Sequence, residues 1–306
     1  MGTIFGQVFI LVAFGAIGFA LAKGGIVKSE HSDLLSKLLV YVILPAAAFR
    51  SYAQSFSVAY ISENYVLILA SLGILVALMV LTRGGILIFC RKASERNIYE
   101  YSVITPNFGY MGYPFAEAIY GSLGLLSAMV FAVPMSLYVY TVGYTLLSGK
   151  RATLKNIFNP MMCALLLGAL FGITGIGAYV PAPVYELLSG AGACMGPISM
   201  LLAGIVLSDY KLGELFRRPS VYVVSVIRVL VIPLAVGGAL RLFGAGETLF
   251  QTALALYAMP CGLNTIVFVK NAGGDCRPGA GLALVSNLLA CASVPLVFLI
   301  FGISVG

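Results

Sequence analysis

Long apolar runs with almost no charge fill this chain and restrict its fold more than any other feature. Of its 306 residues, 60% are hydrophobic and 9% are charged, whereas about a quarter of the residues in a soluble domain are charged. About 20 consecutive apolar residues suffice for a helix to cross a bilayer. Lipid cannot hydrogen-bond a free backbone amide, so irregular backbone does not face it. We therefore predict an all-α membrane protein with nearly all its length inside the bilayer.

Ten segments meet this length criterion, and the connectors between them are short. We expect each segment to cross the membrane once. Their approximate limits are residues 4–22, 34–53, 63–89, 98–121, 123–147, 159–176, 183–208, 219–242, 247–271 and 277–304.

The basic residues gather in alternate connectors. Fourteen of the 18 Lys and Arg residues lie in or beside connectors one, three, five, seven and nine. The positive-inside rule then predicts that these connectors are cytoplasmic and that both termini are extracytoplasmic. Because the basic residues are scattered, topology explains the net charge of +7 better than nucleic-acid binding does. They are Lys23, Lys28, Lys37, Arg91, Lys92, Arg96, Lys150, Arg151, Lys155, Lys211, Arg217, Arg218, Lys270 and Arg277.

Ten spans divide into a first five-helix repeat at 1–147 and a second at 159–306. Because five is odd, the second repeat must insert upside down. Prolines at corresponding depth in three pairs of spans favour such an inverted repeat, although membrane helices also tolerate proline for other reasons. The pairs are Pro45 with Pro197, Pro134 with Pro295, and the prolines of the interrupted fourth and ninth spans.

Those two spans contain Pro, Gly and Asn where a helix should be continuous. The fourth reads TPNFGYMGYP at 105–114, and the ninth reads AMPCGLN at 258–264. Matched breaks in the two halves of a chain are typical of a transporter binding site, where half-helix N-termini offer free N–H groups and positive dipole to an anion. Asn107 and Asn264 occupy the breaks and could bind substrate, although a single Asn in a span also serves as an interhelical hydrogen bond. Nearby glycines such as Gly109 permit close approach of a ligand.

Charged residues inside the spans are costly and are usually functional or paired. Arg228 lies near mid-depth and could offset an anionic substrate, or it could bind carbonyls freed by a broken helix. Glu117 could bind a coupling proton or cation, pair with an arginine, or face an outer vestibule. Arg50 lies near a span end, and we expect it to reach the interface by snorkelling.

Enzymatic motifs are missing from the sequence. It has no H-E-x-x-H, P-loop or G-x-S-x-G pattern, so we expect neither an enzyme nor transport powered by ATP. With His31 as the single histidine and six cysteines that form no C-x-x-C pair, no zinc site or disulfide framework is indicated.

The interrupted spans resemble those of the auxin efflux carrier family of secondary transporters. The run from Thr105 to Pro114, continuing to Tyr120-Gly121, is similar to the family's P-N-x-x-x-M-G-x-P…Y-G form. Met259-Pro260 with Asn264 resembles its counterpart, and the eighth span places Arg228 before Pro233 as the family tends to do. The family includes plant PIN-formed auxin carriers and bacterial malate or malonate carriers.

The resemblance implies a homodimer with a fold like that of sodium–proton antiporters and bile-acid symporters. A scaffold domain, 1–53 and 159–208, would support a transport domain, 63–147 and 219–306, that shifts like an elevator. Broken helices four and nine would cross to bind substrate through Asn107, Gly109, Gly112, Pro114, Pro260 and Asn264.

Two departures from plant carriers bear on the substrate. The central connector is short, and Glu117 stands where those carriers tend to have a lysine. We therefore expect a prokaryotic short form that carries a small mono- or dicarboxylate such as malate or malonate across the plasma membrane. No cofactor is expected beyond Na⁺ or H⁺ as coupling ion. The alternatives are an exporter of auxin-like aromatic weak acids, or a channel or receptor on the same fold.

Overall fold

The computed structural model describes residues 2–89 and 93–303, and within those ranges the chain is helical without a β-strand. Arg91 and Lys92 of the third predicted connector, and residue 304 at the end of the tenth predicted span, lie outside the described residues. The helices are α1 Gly2–Lys23, α2 Ser32–Ser55, α3 Val58–Asn64, α4 Val66–Phe89, α5 Ala93–Ile104, α6 Phe108–Phe131, α7 at 133–148, α8 Leu154–Ile157, α9 Pro160–Thr174, α10 Ala182–Ser208, α11 Leu212–Leu215, α12 Pro219–Leu242, α13 Glu247–Tyr257, α14 Asn264–Asn271 and α15 Arg277–Ile300.

Seven of the described helices are long and apolar enough to cross a bilayer, namely α1, α2, α4, α6, α10, α12 and α15. A shorter apolar helix, α9, accompanies them. These helices confirm the all-α membrane protein expected from composition. Within α6 the backbone leaves helical geometry at Gly121, where φ is 70° and ψ is −163°. Glycine adopts this conformation without steric cost, so α6 consists of two helical halves that meet at Gly121.

Proline shapes several of the described helices through turns wound wider than an α-helix. A proline has no N–H to donate, and its ring clashes with the carbonyl four residues earlier. One wide π-helical turn absorbs that clash. Such turns end two residues before Pro45, Pro114 and Pro233, and a fourth turn, in α7, precedes no proline. The four turns are Leu39–Ile43, Phe108–Gly112, Val139–Gly143 and Ile227–Val231.

Glycines bring α1 against α10 and α2 against α9, which are the most extensively packed helix pairs in the described chain. A Cβ added at Gly204 would lie only 1.9 Å from the carbonyl oxygen of Gly15, and one at Gly18 only 2.2 Å from that of Leu201. On α9, a Cβ at Gly172 would lie 2.5 Å from the carbonyl oxygens of Tyr52, in α2, and of Phe56, which follows it. Close backbone approach through small residues is a common means of helix association in membranes.

Arg218, just before α12, joins the far ends of the two interrupted helices. Its guanidinium lies 2.5 Å from a carboxylate oxygen of Glu95 in α5 and 3.6 Å from one of Asp275, which follows α14. Asp275 also accepts a hydrogen bond at 2.8 Å from Arg277, and chiefly for that reason its pKa is lowered from the usual value. The start of α5 and the turn after α14 are thereby held to α12.

Replacing Gly204 by Ala should destabilise the protein, because the added methyl group requires α1 and α10 to separate. Overpacking typically costs about 1–3 kcal/mol, so the melting temperature in detergent should fall by several degrees. Gly190→Ala in the same helix is the matched control, since a Cβ there meets nothing within 4 Å. Equal melting temperatures for the two variants would contradict the packing described here.

Candidate functional site

The interrupted helices break where prolines prevent helical geometry. α5 ends at Ile104 and α6 begins at Phe108, while α13 ends at Tyr257 and α14 begins at Asn264. Pro106 and Pro260 lie in the two gaps. A residue that precedes proline is disfavoured in helical geometry, and the proline itself cannot donate to the previous turn. Each gap is therefore a short extended segment between two half-helices.

The two extended segments contact each other directly. The backbone N–H of Asn107 donates to the carbonyl oxygen of Pro260 at 2.8 Å, and Pro106 and Cys261 form an isolated antiparallel bridge. The N–H of Cys261 donates in turn to Ser286 Oγ of α15 at 3.0 Å. Backbone groups freed by the breaks thus satisfy one another, and the four half-helix ends meet at one place, which we call the crossing.

Arg228 binds the C-terminal ends of both broken helices. Its guanidinium donates to the carbonyl oxygens of Val103 at 2.9 Å, Tyr257 at 2.5 Å and Met259 at 3.3 Å. The side chain is fully buried, with 0% exposure. A helix C-terminus carries about half a negative elementary charge, so one arginine offsets two such ends. Of the two roles predicted for Arg228, these contacts agree with the binding of carbonyls freed by a broken helix. The guanidinium is bound to protein carbonyls and does not face a cavity.

The N-terminal ends of α6 and α14 open onto a cavity of about 60 Å³. N–H groups in the first turn of a helix have no partner within the helix, so both ends present donors there. Asn107 also lines the cavity. It is only 6% exposed, and among the hydrogen bonds of the described residues its side chain makes none. The amide therefore faces the cavity without a partner from the described protein groups. Asn264 lines the same cavity and donates to the Tyr101 hydroxyl at 2.9 Å.

Of the six residues predicted to bind substrate, the structure brings three to the cavity, Asn107, Gly109 and Asn264. The other three do not line the cavity and instead make packing or backbone contacts near the crossing. Gly112 faces Leu256 of α13, where an added Cβ would approach to 2.8 Å. Pro114 packs against Gly196 of α10, and Pro260 accepts the hydrogen bond from Asn107.

Aromatic side chains form much of the remaining cavity wall, and sequence reasoning did not identify them. Tyr101, Phe108, Tyr110 and Tyr140 all line it, together with Ser136 of α7 and apolar residues of α2 and α9. Phe108 and Tyr110 lie within the predicted break, so the sequence could have placed them near the site. Tyr101 and Tyr140 come from different helices, and an aromatic residue in an apolar span does not by itself indicate a binding site.

Glu117 pairs with Arg50, as one of its three alternatives anticipated. The carboxylate accepts a hydrogen bond from Arg50, which also donates to Ser189 Oγ of α10 at 2.7 Å. The expectation that Arg50 snorkels is wrong, because its side chain is only 13% exposed and is held by these two partners. The pair joins α6 to α2 away from the cavity.

A larger cavity, of about 290 Å³, lies between α1, α10 and α15 and is lined almost entirely by apolar residues. It offers an organic anion neither charge nor a set of donors, so the crossing is the better candidate site. No group of three or more His, Cys, Asp or Glu residues that could hold a metal ion occurs in the described part of the chain.

Replacing Arg228 by Gln should destabilise the protein, because buried carbonyls of α5 and α13 lose charged donors worth about 1.5–3 kcal/mol each. We expect a melting temperature in detergent at least several degrees lower, with Arg228→Lys intermediate because it keeps the charge. Arg241→Gln, near the end of the same helix, is the control. That side chain is half exposed, and its ion pair and its ring contact are each worth about 1 kcal/mol at most. A normal melting temperature with weaker anion binding in Arg228→Gln would instead identify a substrate counter-ion.

Comparison with known proteins identifies the family of this chain. The family described as "Membrane transport protein" matches residues 3–156 and 145–298. An uncharacterized transporter of Methanothermobacter thermautotrophicus is 24% identical over 293 residues, which cover 92% of each chain. An uncharacterized transporter of Methanocaldococcus jannaschii is 26% identical over 220 residues, covering 67% of this chain and 69% of its own. The chain belongs to this membrane transport protein family, the auxin efflux carrier family that its interrupted helices resemble.

Proposed function

We propose that this chain is a secondary active transporter that moves a small organic anion across the cytoplasmic membrane. The observation that carries the proposal is the buried side chain of Asn107, which has no hydrogen-bond partner among the described residues and faces a cavity between two half-helix N-termini. N–H groups and helix dipoles at such ends favour negative charge. A carboxylate placed there would accept hydrogen bonds from the Asn107 amide and from first-turn N–H groups of α6 and α14.

A topology of ten crossings accounts for the observed helices. In this topology the first half of α6, up to the break at Gly121, forms a span with α5, and the second half forms a span with α7. α13 and α14 form another interrupted span, and α9, with 15 residues, crosses with the help of its flanks. With α1, α2, α4, α10, α12 and α15, this makes ten. The two halves then have opposite orientation, and the positive-inside rule directs both termini outward.

An elevator-type shift would carry the crossing between the two membrane faces. The scaffold would be 1–53 and 159–208, and the transport domain 63–147 and 219–306. The glycine-mediated packing of α1 with α10 and of α2 with α9 supports a rigid scaffold. The polar contacts described between the two groups are few. They include the Arg50–Glu117 pair and a 2.7 Å hydrogen bond from Ser199 Oγ to the Tyr110 carbonyl. We further propose a homodimer formed through the scaffold, with Na⁺ or H⁺ as driving ion.

Asn107→Ala and Asn264→Ala should each weaken carboxylate binding about 10- to 100-fold, the effect of losing a hydrogen bond to a charged group. Uptake of labelled mono- and dicarboxylates into proteoliposomes, under imposed Na⁺, H⁺ and voltage gradients, measures this loss. Asn271→Ala is the control, because Asn271 is exposed at the other end of α14. Wild-type uptake by both cavity variants, with normal melting temperatures, would refute the site.

Saturable counterflow of labelled substrate distinguishes a carrier from a channel. Ligand binding without uptake identifies a receptor.

The Arg50–Glu117 pair should open whenever α6 moves against α2. Removing the pair should therefore favour the arrangement of the domains in which the cavity faces the outside. In the proposed orientation the pair lies toward the outside. The cavity lies toward the cytoplasm, because Val40 and Met161, which line it, are near the proposed cytoplasmic ends of their spans. A thiol introduced by Ser136→Cys in a cysteine-free background should therefore react slowly with an external impermeant maleimide. Adding Arg50→Gln or Glu117→Gln should speed that reaction several-fold.

The exchanged pair, Arg50→Glu with Glu117→Arg, should return the labelling rate toward the original value. Lys37→Gln is the control, because the Lys37–Asp33 pair of α2 is exposed and lies within one helix. Unchanged labelling in both single variants would mean that the pair does not hold the domains in this arrangement.

A further inference from the structure

We propose that the crossing selects a carboxylate with a single negative charge and a short apolar body, and discriminates against dicarboxylate dianions. This inference rests on the proposed function and narrows its substrate class from mono- or dicarboxylates to monocarboxylates. Three observations support it: the balance of helix-end charges, the uncharged lining of the cavity, and the apolar character and size of its walls.

The charge balance follows from the four half-helix ends at the crossing. Each C-terminal end carries about half a negative elementary charge and each N-terminal end about half a positive one. Arg228 binds carbonyls at the C-terminal ends of α5 and α13, so its single charge offsets both. The N-terminal ends of α6 and α14 are left with about one positive charge between them, which matches one carboxylate.

A second carboxylate would find no cation in this cavity. None of the residues that line it, among those the structure describes, is Lys, Arg, His, Asp or Glu. Arg228 is fully buried and its donors are bound to carbonyls, while Arg50 is held by Glu117 and Ser189. An ionised group that is removed from water without a partner is strongly disfavoured. The second charge of a dianion would therefore weaken binding.

The walls are suited to an apolar body of a few carbon atoms. Tyr101, Phe108, Tyr110 and Tyr140 contribute aromatic surface, and Leu44 and Met161 contribute aliphatic surface. The cavity is small, with a volume of about 60 Å³. A short aliphatic monocarboxylate such as propionate would place its carboxylate at the helix ends and its alkyl group against the tyrosine rings.

Propionate, monomethyl malonate, malonate and dimethyl malonate separate charge from size, because the monoanion monomethyl malonate is larger than the dianion malonate. Their affinities are measured at pH 8 by isothermal titration calorimetry on the purified protein, with uptake into proteoliposomes as a second readout. We expect the two monoanions to bind, malonate to bind at least 10-fold more weakly, and the neutral diester not to bind.

The malonate affinity should rise relative to that of propionate as the pH falls from 8 to 5.5, because malonate then gains a proton. The titratable groups facing the cavity are the hydroxyls of Tyr101, Tyr110 and Tyr140, which stay protonated because phenols ionise near about pH 10.

A cation placed in the cavity wall should reverse the preference. Met161→Lys keeps a chain of similar length and adds a positive charge, so malonate affinity should rise at least 10-fold relative to propionate. Met162→Lys adds the same charge on the same helix at a residue that does not line the cavity, and it should leave the ratio unchanged. Malonate binding as tight as that of propionate to the unmodified protein at pH 8 would overturn the inference and leave the transporter proposal intact. Failure of all four ligands to bind or to be transported by folded protein would count against the proposed function itself.

Discussion

The architecture of this protein depends on how it satisfies backbone that leaves helical geometry inside a membrane. Two helices are interrupted at Pro106 and Pro260, and lipid offers nothing to the groups that these breaks release. The chain compensates in two ways. The extended segments bond to each other through Asn107 and Pro260, and Arg228 donates to three carbonyls at the C-terminal ends. Both solutions require the two breaks to lie side by side, so α5, α6, α12, α13 and α14 form one connected unit.

That solution leaves the site electrically asymmetric. The negative helix ends are offset by a fixed arginine, whereas the positive ends face a cavity without a counter-charge from any described side chain. A ligand's carboxylate would complete the balance, much as Arg228 completes it on the opposite side. Charge recognition would then come from backbone dipoles, which are held rigidly by the helices, while the tyrosine-rich wall would select the rest of the molecule. In the proposed site the Asn107 amide would give a direction to the attraction that the helix dipoles exert on a carboxylate.

Several features of this fold were predictable because their physical cause is local. Proline removes a donor and glycine relaxes the backbone, so the position of each break is visible in a window of about ten residues. The cost of a charge in lipid singled out Arg228 and Glu117 in the same way. The kinds of partner were among the predicted alternatives, but the particular residues were not predictable, since Arg228 reaches carbonyls 125 and 29 residues away and Glu117 meets Arg50 across 67 residues. Arg50 shows the limit most clearly, because a position near a span end suggested snorkelling and tertiary packing placed it in an ion pair.

By itself, the sequence determined that the chain is an all-helical membrane protein with two interrupted helices, because apolar length, proline and glycine act over a few residues. It also identified the transporter family, whose motifs lie in those same short windows. Only the tertiary structure decided which predicted residues line the cavity and which pack against neighbouring helices instead. It also supplied the aromatic wall, because Tyr101 and Tyr140 lie on different helices and become neighbours only when those helices pack. The charge of the site was decided there as well, since it depends on which helix ends meet and on which of them Arg228 binds.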